Sequence, residues 1–286
     1  MINKRIEQTI AHYLENTPSL ALKEAITYTL SNGGKQLRPA LIYATGAIFD
    51  APLANLDIPA TAVELIHTYS LIHDDLPCMD NADLRRGKPT CHIVYNEGMA
   101  VLTGDALHTL SMQILSGHPA PLSAEKRVAM IKVLSEACGP FGMAAGQAMD
   151  ITLMQHSQLT TDQLLEIYRL KTGALLSACV ELGRLAGNDD SVVHQQALKT
   201  FGECIGLAFQ IQDDILDIEV ESEQLGKPQN IDVINNKMTY PAVLGLANAK
   251  SRVQALYSEG LQAIDYLGEK AQGLRELADK MLHRSK

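Results

Sequence analysis

The sequence predicts an all-α fold in a single domain spanning residues 1–286, a bundle of about ten or more helices. Three observations carry that expectation. Apolar residues recur at three-and-four spacing almost everywhere, sustained period-two alternation is missing, and no Gly/Ser-rich linker, low-complexity tract or charge block divides the chain. A chain of 286 residues with 46% hydrophobic and 20% charged residues can bury a sizeable core.

Helix boundaries follow from local punctuation. Pro39 stands near a helix start, Thr160-Thr161-Asp162-Gln163 reads as a capping box, and Gly187-Asn188 closes the segment before Asp189. Pro52, Pro59, Pro119, Pro121 and Pro140 are assigned to connections. The five cysteines (Cys78, Cys91, Cys138, Cys179, Cys204) are odd in number and lack a CxxC pair, which points away from a disulfide framework or a zinc site. The first twenty residues include Lys4, Arg5, Glu7 and Glu15 and no long apolar core, and no apolar run of membrane length is uninterrupted. A cytoplasmic location without membrane insertion is expected. A net charge of −9 argues against broad nucleic-acid binding, which needs a clustered basic face.

Two acidic clusters break the apolar pattern. In FGECIGLAFQIQDDILDIEV, Gln210, Asp213, Asp214 and Asp217 fall at i, i+3, i+4 and i+7 of an otherwise apolar helix, forming one polar stripe. Asp213 and Asp217 should sit about 40° apart around the axis and roughly 6 Å along it, so their carboxylates can converge. Buried carboxylates without counter-charge are costly, and oxygen-only ligands suit a hard cation such as magnesium. A solvated acidic face is the plainer reading of such a stripe, but Leu207, Phe209, Ile211, Ile215, Leu216 and Ile218 flank it.

The other cluster lies in AVELIHTYSLIHDDLPCMDNADLRRGKPT, where Glu64, His67, Leu71 and Asp74 keep helical spacing down to Pro77. On an unbroken helix Asp80 would stand about 120° from Asp74, so a break at Pro77 is needed to bring it back. Acids are poorly suited to a helix C-terminus, where the dipole is negative; a ligand explains the placement better than chance. Of the two clusters, Asp75 and Asp214 are the less certain ligands.

Magnesium held by carboxylates alone commonly awaits phosphate oxygens, and basic residues stand ready for the remaining phosphate charge. Arg85 and Arg86 follow the first cluster directly, Gly33-Gly34-Lys35 and Arg38 precede a helix near Pro39, and Lys171-Thr172 and Lys227 complete the set. Singly, each lysine is an ordinary surface residue; the combination is what points to an anion. GxxxxGK[ST] is absent and no strand precedes the glycines, so a Walker loop is excluded.

These segments, in this order, resemble the trans-isoprenyl diphosphate synthases, and most closely the bacterial farnesyl diphosphate synthases. The resemblance rests on GGKQLRP, ELIHTYSLIHDDLPCMDNADLRRGKPTCH, GDAL, KTGALL, FQIQDDILD, LGKP and KMTYP, which span most of the chain. It implies the isoprenoid synthase fold, an all-α homodimer with a deep central cavity onto which two aspartate-rich motifs face. It further implies that Asp74, Asp80, Asp213 and Asp217 bind Mg2+, about three ions per site with Mn2+ able to substitute, against an allylic diphosphate also held by Arg85, Lys171 and Lys227. Gly34, Lys35, Arg38, His67 and Arg86 would hold isopentenyl diphosphate, while Thr172 and Gln210 would stabilise the allylic cation. Gln36, Ala82, Asn230 and Asn236 depart from the family's usual residues, and none of them is a proposed ligand.

In the family the residues four and five before the first aspartate floor the prenyl cavity; here these are Ser70 and Tyr69. A bulky ring one to two turns below Asp74 implies farnesyl diphosphate as product, from dimethylallyl or geranyl diphosphate, with a geranylgeranyl synthase as nearest rival. A terpene cyclase needs no isopentenyl site and usually surrounds its cations with aromatic rings, whereas this chain has no Trp and four Phe. An inactive prenyl-diphosphate-binding subunit would not need two intact acidic clusters.

Overall fold

The computed structural model describes residues 2–117, 119, 122–153, 159–219 and 238–283. Helices α1 (Ile2–Leu14), α2 (Leu20–Leu30) and α3 (Leu37–Ile48) lead into the long α4 (Leu53–Asp74). After a short hairpin come α5 (Cys91–Tyr95), α6 (Glu97–Gly117), α7 (Ala124–Cys138), α8 (Met143–Leu153) and α9 (Thr161–Tyr168). A π-helical turn, Arg169–Gly173, joins α9 to α10 (Ala174–Ala186). The chain continues through α11 (Val192–Glu219), α12 (Tyr240–Leu244), α13 (Leu246–Ala263), a 3-10 segment (Asp265–Ala271) and α14 (Gln272–Leu282). One contiguous cluster of buried apolar side chains runs from Ile6 to Leu282. The all-α architecture is as the three-and-four periodicity required.

Helix α4 is the central post. Every residue from Asn55 to Ile66 is buried, and α3, α6 and α10 pack around it. The expectation that Pro59 lies in a connection is wrong: it sits inside α4. A helix-interior proline forfeits a hydrogen bond and costs roughly 3 kcal/mol, and it persists here because burial on all sides of α4 outweighs that loss. Farther on, the capping box of α9 forms as read from the sequence: the Thr160 side chain accepts from Gln163 N–H and Gln163 Oε1 accepts from Thr160 N–H. Gly187 caps α10.

The helix-only reading also misses a small hairpin. Leu84–Arg85 pairs antiparallel with Lys88–Pro89, and the connecting Arg86-Gly87 has φ of 54° and 75°. Positive φ at both central residues is the mark of a tight turn whose twist matches the strands it joins. The stretch 124–153 is long and apolar enough on composition to cross a membrane, but Gly139–Gly142 breaks it into α7 and α8.

Candidate active site

Helix α4 ends at Asp74, and the loop beyond it folds back on the helix end as Pro77 requires. Asp80 N–H donates to the Asp74 carbonyl at 2.8 Å, Met79 N–H to Leu76 at 2.9 Å and Ala82 N–H to Asp75 at 3.1 Å. The return brings the Asp80 charge close enough to press on Asp74. Burial, aided by Asp80, pushes the Asp74 carboxyl up to about 6, against the opposing pull of Lys171 and Arg85. The two carboxylates that follow one another in sequence part company here. Asp75, 4% exposed, is clasped by Arg85, whose Nε and Nη2 approach its oxygens at 2.6–2.9 Å.

The hairpin explains how adjacent arginines reach different places. Arg85 on the strand turns to Asp75, while Arg86 in the turn donates to the Gly33 carbonyl of the loop before α3. That loop runs close under Arg86: Gly34 has φ of 151°, and a Cβ there would lie 2.6 Å from the Arg86 guanidinium. Arg38 reaches the same region from α3, its Nε buried with no hydrogen-bond partner among the described residues. Burial, reinforced by the crowding of Arg38, Arg86 and Arg85, drives the His67 pKa well below its usual range, so its imidazole is neutral. Glu64, buried one turn above His67, partly offsets those cations while its own carboxyl is pushed up by burial. Lys35 is exposed at the edge of the loop.

A cavity of about 490 Å³ joins these groups. Arg38, His67, Tyr69, Ser70, Asp74, Lys171 and Thr172 line it. Arg38, His67 and Lys171, three of the residues expected to meet diphosphate, therefore share one space with Tyr69 and Ser70, the residues expected to floor it. Arg85 and Arg86 line an adjoining narrow cleft with Gly33, Glu64 and Asp75.

Lys171 and Thr172 owe their aim to the π-helical turn, a device often found where a helix must re-aim functional side chains. Gly146 of α8 lies against it so closely that a Cβ would stand 2.3 Å from Lys171 N. Lys171 Nζ donates to Asp150 Oδ2 at 2.5 Å, and Thr172 Oγ1 donates to Gln210 Oε1 at 2.8 Å. Lys171 stays charged, because Asp150, Asp74 and Asp80 together outweigh the desolvation that opposes it.

The second cluster is carried on α11 without interruption, as expected, yet its polar stripe divides. Asp214 turns into the core. It accepts from Tyr168 O–H at 2.5 Å and from Tyr240 N–H at 3.0 Å, tying α9 and the start of α12 to α11. Asp213, Asp214 and Asp217 are absent from the 490 Å³ cavity wall, and α11 meets that wall through the Thr172–Gln210 bond. Asp217 is buried and Asp213 half-buried. Among the described residues no three ligating side chains close into a ready-made metal cage. Lys227, Asn230, Asn236 and the LGKP segment lie outside the described residues.

The donor set nevertheless fits a hard cation: it is all carboxylate oxygen, and Asp74 is half-buried where no cation of the protein pairs with it within 4 Å among the described residues. Sequence reasoning missed Gln147 and Asp150 on α8. Gln147 lines the cavity with a buried Oε1 that has no partner among the described residues, and Asp150 holds Lys171. Their three-residue spacing within the apolar MAAGQAMDI was the available signal. Tyr168 and Tyr240, which hold Asp214, carried no such signal.

Residues 19–272 match the polyprenyl synthetase family model. The chain is 44% identical to the farnesyl diphosphate synthase of Escherichia coli over 99% of its length and 96% of that protein. Its structure resembles a geranyltransferase from Legionella pneumophila with a TM-score of 0.87, at 37% identity over 99% of this chain and 94% of that one. A geranyltransferase from Helicobacter pylori, complexed with magnesium and isoprenyl diphosphate, matches with a TM-score of 0.81 at 35% identity, over 98% of this chain and 95% of that one. A family model covering most of the chain and relatives matched nearly end to end agree with the site built above: the chain belongs to the polyprenyl synthetase family.

Proposed function

We propose that this chain is a magnesium-dependent prenyltransferase of isoprenoid biosynthesis that condenses isopentenyl diphosphate head to tail with dimethylallyl or geranyl diphosphate, releasing pyrophosphate and farnesyl diphosphate. The observation that carries the reading is one cavity with two chemically different ends on one helix. Asp74 and Lys171 stand at the charged end, and Tyr69, five residues earlier on α4, lines the same space below. Five residues rise about 7.5 Å, which suits a short hydrocarbon tail between diphosphate and ring.

Asp74, Asp80, Asp213 and Asp217 would hold the metal; Asp75 and Asp214 drop out of that set because Arg85 and the Tyr168–Tyr240 pair occupy them. When bound, magnesium would offset the charge that builds on the leaving diphosphate as the allylic carbon–oxygen bond breaks. The relative from Helicobacter pylori, described with magnesium and isoprenyl diphosphate, supports that assignment. Arg85, oriented by Asp75, and Lys171, oriented by Asp150, add fixed positive charge to the same leaving group, and Lys227, outside the described residues, would add a further cation. Gly34, Lys35, Arg38, His67 and Arg86 would seat isopentenyl diphosphate, with neutral His67 serving as a hydrogen-bond partner rather than a charge. Thr172 and Gln210, locked to one another, present oxygen dipoles to the allylic cation. The isopentenyl double bond attacks that cation, and the departed diphosphate takes the proton, so no side chain has to act as base.

The active form would be a homodimer in the cytoplasm. Ile93, Val94, Val101 and Leu102 leave an exposed apolar face on α5 and α6, which supports a second copy, and all five cysteines are free thiols, which supports a reducing compartment. The whole reading is tested by incubating the protein with magnesium, isopentenyl diphosphate and each primer, then chromatographing the products. Fifteen-carbon product from geranyl diphosphate, lost on chelation of the metal, is expected. Hydrocarbon released from the primer alone, or no turnover, would overturn it.

A further inference from the structure

The rings at the cavity floor form an assembly that extends beyond the cavity wall. Tyr69 and His73 lie one turn apart on α4 and meet edge to face, with centroids 5.7 Å apart and planes at 82°. His108 of α6 meets Tyr69 in the same way at 5.2 Å and 84°. Tyr69 and His73 line the cavity, whereas His108 does not. Helix α6 is shaped to receive this group. A Cβ on Gly104 would stand 2.1 Å from His73 Nε2, and that nitrogen lies 3.2 Å from the Val101 carbonyl, to which it donates. Val101, Gly104 and His108 fall at i, i+3 and i+7, so the accepting carbonyl, the bare glycine and the second imidazole follow one another along one side of α6. Behind His108 stands Cys138 of α7, its Sγ 4.0 Å from His108 Nε2.

We infer that His108 is a positioning residue for product length: it holds the Tyr69 ring across the cavity end and so sets where chain growth stops. The inference rests on Tyr69 being the stop, as proposed above. The Tyr69 hydroxyl makes no hydrogen bond among the described residues, and an aromatic ring settles among rotamers according to what packs against it. An edge-to-face partner favours one setting of the ring, and His108 is in that relation to Tyr69. Because His108 touches the ring and not the cavity, its loss should change what the site makes more than how tightly the site binds diphosphate.

The test compares product distributions of the full chain, His108→Ala, His108→Phe, Tyr69→Ala and the double variant Tyr69→Ala/His108→Ala, with magnesium, geranyl diphosphate and isopentenyl diphosphate. His108→Ala should raise the ratio of twenty- to fifteen-carbon product by about two- to ten-fold while KM for both substrates stays within about two-fold. His108→Phe, which keeps a ring against Tyr69, should restore the native ratio, and the double variant should make no longer product than Tyr69→Ala alone. Should His108→Ala fold poorly, His108→Gln, which keeps bulk but has no ring, takes its place. If Tyr69→Ala lengthens the product and neither His108→Ala nor His108→Gln does, His108 has no such role; so too if the double variant exceeds Tyr69→Ala. If Tyr69→Ala itself leaves length unchanged, the stop is elsewhere and the earlier assignment falls with this one.

Discussion

Asp74-Asp75 and Asp213-Asp214 read alike in sequence, and the structure treats each pair alike in one respect and differently in another. In each, the second aspartate is taken up by the protein itself. Asp75 is held by a cation, Arg85, on a hairpin whose arginine side chain remains 33% exposed. Asp214 is held by neutral donors, Tyr168 O–H and Tyr240 N–H, in a node that excludes solvent. A charge clasp keeps an arginine ready to meet a further anion, whereas the Tyr168 and Tyr240 donors on Asp214 fasten α9 and α12 to α11. On the proposed reading, each pair divides into one carboxylate for substrate and one for scaffold, and the scaffold halves differ in the donors that hold them.

The sharpest test removes the substrate half. Asp74→Ala, Asp80→Ala and Asp213→Ala should each lower magnesium-dependent turnover by about 10²–10³-fold, measured by steady-state kinetics, without loss of stability in urea unfolding. Full turnover in any of them would break the division. Asp214→Ala should show the opposite balance: it strands two buried donors and should cost about 2–4 kcal/mol in urea unfolding.

Asp74 also tests whether the site is held at a cost to the fold. Its folded pKa of about 6 stands above the ordinary 3.8, so the folded state takes up a proton more readily than the unfolded one. Ionised Asp74 therefore weakens the metal-free protein above pH 6, and that penalty disappears as pH falls toward 4. Asp74→Asn, a mimic of the protonated form, should stabilise metal-free protein by about 2–3 kcal/mol at pH 8 and by almost nothing near pH 4. Thermal melts of both proteins in chelator, across pH, decide it. The smallest effect belongs to Asp75→Ala, where the partly exposed Arg85 regains water; roughly 1–2 kcal/mol of stability should be lost, and with it the orientation of Arg85.

What the sequence made legible was whatever depended on local period and on residue chemistry. The helix of the second cluster, the break at Pro77, the capping box at Thr160 and the meeting of Arg38, His67, Asp74, Lys171 and Thr172 all belong to that class. The division within each aspartate pair did not, because it depends on which distant donor arrives: Tyr240 lies 26 residues from Asp214. Pro59 was misread for a related reason, since a proline's local cost says nothing of the burial that overrides it. The Arg86-Gly87 turn was hidden because arginine rarely adopts positive φ, and only its strand partners reveal the requirement.

The wide turn at Arg169–Gly173 has a consequence for which length changes the family site can accept. A π-helical turn packs one extra residue into a helix without adding a full residue's rise, so the register on either side of it is offset from that of a regular helix. Deleting any one residue between 169 and 173 would let α9 and α10 run on as one uninterrupted helix, an outcome that ordinary backbone energetics favours. Five π-helical residues turn through about the same angle as four α-helical ones, so the flanks would keep their phase and only the directions set inside the turn, those of Lys171 and Thr172, would change. Either Lys171 would leave Asp150 or Thr172 would leave Gln210, so the more regular helix would be the one that could no longer serve the cavity.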